Sequence, residues 1–277
     1  MAMQSSCPAS LLWAALCLHC LPVSLALMPR LELWPSPQFW PINRQFPGLR
    51  ALSEDPAIFV VDDLLDKETC EKLIAKAAPH MCQSLVQTSE GYVPNEARTS
   101  SDGTVDWSEV PSIHGIFSEL LNMPASHFEP LKVSRYEPGQ CFKLHNDGLP
   151  GGSEAGLPIC AAPFCNRVVT LFVYLCDCSD GGATVFPMLG PSGEMRDPEA
   201  LGGGPALSIQ PKRGMGVIHF PSEMPLHGGL RDERVCHEGA AAVSEKWICQ
   251  QWGWTGPLIR EALPDSMLGQ RWDDVLL

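Results

Sequence analysis

Charge is scarce in this chain of 277 residues: Asp, Glu, Lys and Arg together make up only 18%. Basic residues are the rarer sign, 19 against 32 acidic, which leaves a formal net charge of −13. No long run of like charge is present, so composition does not mark a disordered tail. A surface this poor in cations is unsuited to a phosphate backbone, which excludes nucleic acid as the main partner; a basic peptide fits the field better. Internal repeats are also absent, which excludes solenoids and propellers. Apolar residues reach 45%, enough to bury a sizeable core in one large domain or two small ones.

Before Glu32 the only charge is Arg30. Residues 11–27 are apolar apart from His19 and Ser24, and Ser24, Leu25 and Ala26 form a small-residue pattern cleavable after Ala26. The segment 1–27 is therefore expected to be a secretory signal, although no Lys or Arg precedes its apolar run. An uncleaved single-span anchor is the alternative, and Pro22 argues against a buried core helix. Either reading places the protein in the secretory pathway, in the lumen of the endoplasmic reticulum or Golgi, and a membrane is a partner only through such an anchor. Of twelve cysteines, Cys7, Cys17 and Cys20 leave with a cleaved signal. The odd number remaining, in an oxidising compartment, implies some disulfides and at least one unpaired thiol. Cys160 and Cys165 bracket a proline-containing loop and are the first candidates to pair. Cys176 and Cys178 are half of a zinc site at most, because no second pair stands at the right spacing.

Residues 28–56 carry Pro29, Pro35, Pro37, Pro41, Pro47 and Pro56 and read as a Pro-rich linker. From there regular patterns begin. Ile58 to Val61 reads as a strand. Asp66 is a suitable N-cap for a helix with apolar Cys70, Leu73, Ile74, Ala77 and Ala78, ended by Pro79. A second helix fits Ile113, Ile116, Phe117, Leu120 and Leu121, stopping before Pro124. Strand-like runs follow at 131–136, 168–175, 183–186, 207–210, 216–220 and 246–252, separated by Gly- and Pro-rich turns. Two early helices and then many short strands predict a mainly β fold with flanking helices, a sandwich or barrel.

His145 and Asp147 stand two positions apart, so on an extended segment both point to one side. With a second His they would complete a 2-His-1-carboxylate face, the arrangement of non-haem iron(II) oxygenases. Such a triplet is common enough by chance that alone it reads better as a loop histidine bonded to an aspartate. Downstream, Lys246, Ile248, Gln250 and Trp252 share one face of a strand. If that face is buried the ammonium requires an anion, which a dicarboxylate supplies; if it is an edge, the lysine faces water.

Several motifs in order then resemble the 2-oxoglutarate-dependent prolyl 4-hydroxylases. They are Arg98, Thr99, Ser100 and Ser101; Arg135 to Gln140; His145 and Asp147; Arg167 to Thr170 and on to Leu175; Gly181 to Pro187; and Asp232 to His237 with Lys246, Trp247 and Trp252. The resemblance implies a double-stranded β-helix (jelly roll) over residues 57–257, followed by a C-terminal tail at 258–277. It implies His145, Asp147 and His237 as iron(II) ligands, and Lys246 as the partner of the distal carboxylate of 2-oxoglutarate. Thr184 and Tyr136 are implied to help hold that co-substrate. Arg167 and Trp252, with Arg98 and Ser100 in a closing loop, are implied to face a proline-containing polypeptide. The implied reaction hydroxylates peptidyl proline at C4 with iron(II), 2-oxoglutarate and O2, releasing succinate and CO2, with ascorbate as reductant.

His237 is preferred to His227 and His219 as the third ligand because of its spacing to Asp232 and Lys246. His80, His114 and His127 have no role that spacing supports. Four departures from the family pattern put the substrate in question. Phe142 replaces a common tyrosine, and Trp254 a frequent histidine. The stretch after His237 lacks the usual Cys-Pro-Val, and residues 148–166 form a longer loop. The alternatives are an oxygenase acting on another residue or small molecule, a non-catalytic jelly-roll binding module, and a zinc enzyme using the same three ligands.

Overall fold

A computed structural model of the chain describes residues 41–88, 91–149, 160, 165–178, 180–197, 204–222, 230–259 and 262–263. The chain separates into two units, Met1–Ser36 and Pro37–Leu277, and every described residue lies in the second. The expected signal or anchor at 1–27 falls outside the described residues. Among those described, no helix is long and apolar enough to cross a membrane.

The chain begins with a hairpin, β1 (Leu49–Glu54) and β2 (Ala57–Val61), and then α1 (Lys67–Ala77). Short strands β3 (Cys82–Gln83), β4 (Leu85–Thr88), β5 (Gly91–Pro94) and β6 (Ser101–Val105) lead to α2 (Pro111–Leu121). The remaining strands are β7 (Leu131–Tyr136), β8 (Phe142–His145), β9 (Arg167–Tyr174), β10 (Thr184–Phe186), β11 (Leu207–Ile209), β12 (Gly216–His219), β13 (His237–Gly239) and β14 (Lys246–Trp254). They form an eight-stranded sheet in the order β1-β2-β12-β9-β14-β7-β6-β3, a four-stranded sheet β11-β10-β13-β8, and the β4-β5 hairpin.

Every pairing is antiparallel. The two larger sheets face each other across one apolar core. Ile58, Val60, Phe172, Tyr174, Val217 and Ile248 come from the large sheet, and Phe186, Leu207 and Ile209 from the small one. This is the mainly β fold with flanking helices that the strand-rich pattern predicts, in the jelly-roll form that the family resemblance implies.

Both helices form where apolar periodicity and caps place them. Asp66 accepts a hydrogen bond from the Thr69 amide at 2.7 Å and so caps the helix N-terminus. Cys70, Leu73 and Ala77 are the buried stripe of α1. The helix lies so close to β6 that a Cβ on Gly103 would meet Ala77 O and Met81 Sδ, each at 3.0 Å. α2 begins at Pro111 and ends at Asn122, whose φ of 45° makes the left-handed C-cap.

Two boundaries and one cysteine pairing differ from the sequence reading. The linker expected at 28–56 ends early: residues 49–54 form β1, which pairs with β2. Proline crowding obscures this segment, yet the run Leu49–Glu54 itself contains no proline and can enter a ladder. The tail expected from 258 starts as packed structure. Leu258 N donates to Ser126 O at 2.8 Å, and Leu258 and Leu263 pack with Leu149, Cys160, Cys165 and Trp254. Cys160 and Cys165, first candidates for a disulfide, are instead thiols packed within that cluster.

β14 is the spine of the large sheet, buried along its whole length between β7 and β9. At Gly253 it passes so close to its neighbours that a Cβ would lie 2.5 Å from Met123 Sδ and 2.7 Å from Val169 Cγ1. Gly253→Ala is expected to destabilise the fold by about 1–3 kcal/mol through overpacking, read as a lower urea midpoint. An unchanged midpoint would show that Met123 yields freely.

Candidate metal centre and co-substrate pocket

The small sheet brings the first histidine to the second. β8 pairs with β13 so that His145 lies opposite His237, their ring centroids 4.4 Å apart. Asp147 follows β8 by two residues and is buried beside them. The ligand atoms of His145, Asp147 and His237 all lie within 4.8 Å of one another, the single such metal-competent group among the described residues. His227 lies outside the described residues.

Each histidine is oriented by its backbone. His145 Nδ1 is 2.8 Å from Lys143 O and His237 Nδ1 is 3.2 Å from Val235 O. A carbonyl oxygen can only accept, so both Nδ1 atoms carry the proton and both Nε2 lone pairs are left for another partner. His145 Nε2 is buried and has no hydrogen bond. Burial, followed by the nearby His145 and His219, holds the His237 pKa well below its ordinary value, so its ring is neutral. Burial pushes the Asp147 pKa up, but the close imidazoles of His145, His219 and His237 outweigh it and hold the carboxyl well below the usual range. Two imidazoles anchored through Nδ1 and one carboxylate, with an orphaned buried Nε2 among them, fit a divalent metal ion.

Asp147 is fixed from the large sheet. Thr170 Oγ1 on β9 donates to its Oδ2 at 2.8 Å, and Arg167 Nη1 donates to its backbone oxygen at 3.3 Å. The preceding Asn146 shapes the turn, donating to Asp232 O and accepting from Gly148 N, both at 2.8 Å.

Beside the metal group lies a small cleft lined by Tyr136, Phe142, Phe172, Thr184, Lys246 and Ile248 with both histidines. Lys246 is 2% exposed, so the edge-strand alternative does not apply. Its Nζ donates to Gly182 O at 2.5 Å and sits 5.1 and 5.5 Å from the rings of Tyr136 and Tyr174. No carboxylate among the described residues pairs with it, and burial pushes its pKa down to about 8. Thr184 accepts from the Tyr174 hydroxyl at 2.8 Å, a contact that spacing alone did not reveal.

Arg167 stacks 4.4 Å from the Trp252 ring and makes a two-pronged ion pair with Glu129 at 2.6 and 3.1 Å. Trp252 Nε1 is buried without a hydrogen-bond partner. Arg98 and Ser100, expected in a loop closing over a peptide, are instead buried behind Tyr136. Arg98 donates to Asp102 at 2.9 Å and to Ser134 at 3.2 Å, and Ser100 bonds Ser84 at 2.8 Å. The Asp102 carboxylate draws the guanidinium into the sheet. Cys176 accepts the Trp247 amide and Cys178 bonds Ser244, so neither belongs to a metal group among the described residues.

Residues 131–254 match the family model described as the 2OG-Fe(II) oxygenase superfamily. Prolyl 4-hydroxylase 1 of Arabidopsis thaliana is 32% identical over 219 residues, covering 73% of this chain and 70% of that protein. The chain belongs to the prolyl 4-hydroxylase family. A second member from the same plant, Probable prolyl 4-hydroxylase 3, is 30% identical over 216 residues, with coverage of 73% and 70%. The viral collagen prolyl hydroxylase of Paramecium bursaria Chlorella virus-1, solved with 2-oxoglutarate, shares the fold. Its TM-score is 0.50 at 24% identity, covering 71% of this chain and 95% of that one. As a member of this family the protein is an iron(II)- and 2-oxoglutarate-dependent dioxygenase that uses O2.

Because the folded-state pKa of Lys246 is depressed to about 8, pH acts on the pocket in two opposed ways. Above about pH 8 the unfolded chain holds this proton more tightly, so the ligand-free protein gains stability as pH rises toward the ordinary lysine value. The ammonium form needed by a dicarboxylate is full below about pH 8, so affinity for 2-oxoglutarate falls above it, by about tenfold per pH unit. Calorimetric titration at pH 7 and pH 9.5, with urea melts at both, should show these opposite slopes. Lys246→Met should abolish both. Affinity independent of pH in the wild-type protein would remove Lys246 from the site.

Proposed function

We propose that this enzyme hydroxylates peptidyl proline at C4 in polypeptides of the secretory pathway. The observation that carries this reading is the likeness to prolyl 4-hydroxylases across nearly three-quarters of the chain, joined to an intact donor set at His145, Asp147 and His237. With iron(II), 2-oxoglutarate and O2 bound, the centre supplies the oxidation: one oxygen atom enters the substrate C–H bond as hydroxyl, the other enters succinate, and CO2 leaves.

The chain's own residues set the stage for that chemistry. His145, Asp147 and His237 would hold the metal, their rings and carboxylate already fixed by the protein. The Lys246 ammonium receives the distal carboxylate of the co-substrate, which relieves an otherwise uncompensated buried charge. Thr184 and Tyr136 line the same pocket with hydroxyls, while Phe142, Phe172 and Ile248 keep it dry. On the other side of Asp147, Arg167 and Trp252 form a wall whose unbonded indole N–H is a donor for a peptide carbonyl.

The apolar segment 11–27 supports a lumenal location in the endoplasmic reticulum or Golgi, with the protein either released by cleavage or held by a single span. Ascorbate is the proposed reductant that keeps the iron divalent.

Purified iron-loaded protein is expected to form succinate from 2-oxoglutarate, stimulated by a proline-rich peptide that gains one oxygen on proline by mass. Asp147→Ala and His237→Ala should reduce turnover to background, and Trp252→Ala should raise the peptide KM several-fold with the 2-oxoglutarate KM unchanged. Succinate formed without peptide stimulation, or oxygen found on another residue, would discard proline as the target and keep the oxygenase.

A further inference from the structure

A fourth side chain with metal-ligating chemistry adjoins the centre and has no place in the three-ligand reading. His219 at the end of β12 is completely buried, and neither ring nitrogen has a hydrogen-bond partner. Its Nε2 lies 3.5 Å from Asp147 Oδ2, as close as His145 Nε2 lies to Oδ1 at 3.6 Å and closer than His237 Nε2 lies to Oδ2 at 3.9 Å. The ring stands edge-on to His237 at 4.5 Å and to Phe186 at 5.6 Å.

An imidazole buried with both nitrogens unbonded is costly, and the rest of β12 is Gly216, Val217 and Ile218. An apolar ring would fill the same space at lower cost, so the polarity has to be spent on a neighbour. The neighbour is Asp147. β12 pairs with β9 so that His219 sits directly opposite Thr170, and side chains at paired positions share a face. Thr170 Oγ1 already donates to Asp147 Oδ2 at 2.8 Å. The two strands thus present two donors to one carboxylate oxygen, while the other oxygen turns toward His145. His219 is not among the side chains whose ligand atoms converge within 4.8 Å, so it touches the carboxylate from outside the donor set.

We propose that His219 is a positioning residue for the metal centre: with its proton on Nε2 it joins Thr170 in holding Asp147 Oδ2, so that Oδ1 is presented to the metal. This rests on the reading of His145, Asp147 and His237 as ligands. It predicts that His219 governs how tightly the metal is held without contributing to its coordination.

The test uses cobalt(II), whose visible d–d bands report coordination number and ligand type, added to the metal-free full chain. His219→Phe should weaken cobalt affinity about 10- to 100-fold, the range for residues that orient a ligand. His219→Gln, which keeps an N–H donor, should recover most of that loss. The d–d spectrum at saturation should be the same in all three proteins. If His219→Phe does not fold, as judged by circular dichroism, His219→Leu replaces it. Wild-type affinity in the apolar variant, or no recovery with Gln, would overturn the proposal. So would a spectrum showing the loss of one nitrogen ligand, which would make His219 a ligand itself. Asp147→Ala separates the two levels: if it binds cobalt as the wild type does, the three-ligand reading falls and the His219 assignment falls with it.

Discussion

The antiparallel pairing of β8 with β13 is the constraint on which the site depends. It sets His145 against His237 and leaves Asp147 just past the strand end, where β9 can reach it with Thr170. Neither strand is long, four residues and three, so the pairing cannot stand on its own ladder. Its support is the core between the sheets, where Phe186 and Val235 pack against Tyr174, Val217 and Ile248. Ligand geometry is thus a property of sheet packing, with the metal donors at the rim of a core that would exist without them.

Burial is used in opposite senses within a few ångströms. Around His237 it keeps an imidazole neutral and ready to donate a lone pair; around Lys246 it leaves a cation without an anion. Asp147 resists the same burial because three histidines crowd it. The sheet supplies each of these environments by alternation. Lys246, Ile248 and Gln250 all line the cleft, every second residue of one strand.

Much of this was legible in the chain itself. Strand period placed Lys246 and Trp252 on one face, the i, i+2 rule placed His145 beside Asp147, and Asp66 announced the first helix. What was not legible came from long-range contact. Arg98 and Ser100 sit in a motif that promised a surface loop, but Asp102, Ser134 and Ser84 draw them inward, and no local pattern encodes those partners. β1 was hidden by the prolines around it. His219 looked like an ordinary strand residue because only the pairing of β12 with β9 brings it to Asp147.

The pairing of β8 with β13 also has a thermodynamic side. His145 and His237 belong to distant parts of the chain, and an ion shared between them closes a long loop that the unfolded chain leaves open. Folding and metal occupancy are then one linked equilibrium, in which free metal raises the melting temperature by mass action and a chelator lowers it. For this fold the cofactor is also a fastener: metal bound at the donor set adds to the stability of the folded chain as well as supplying its chemistry.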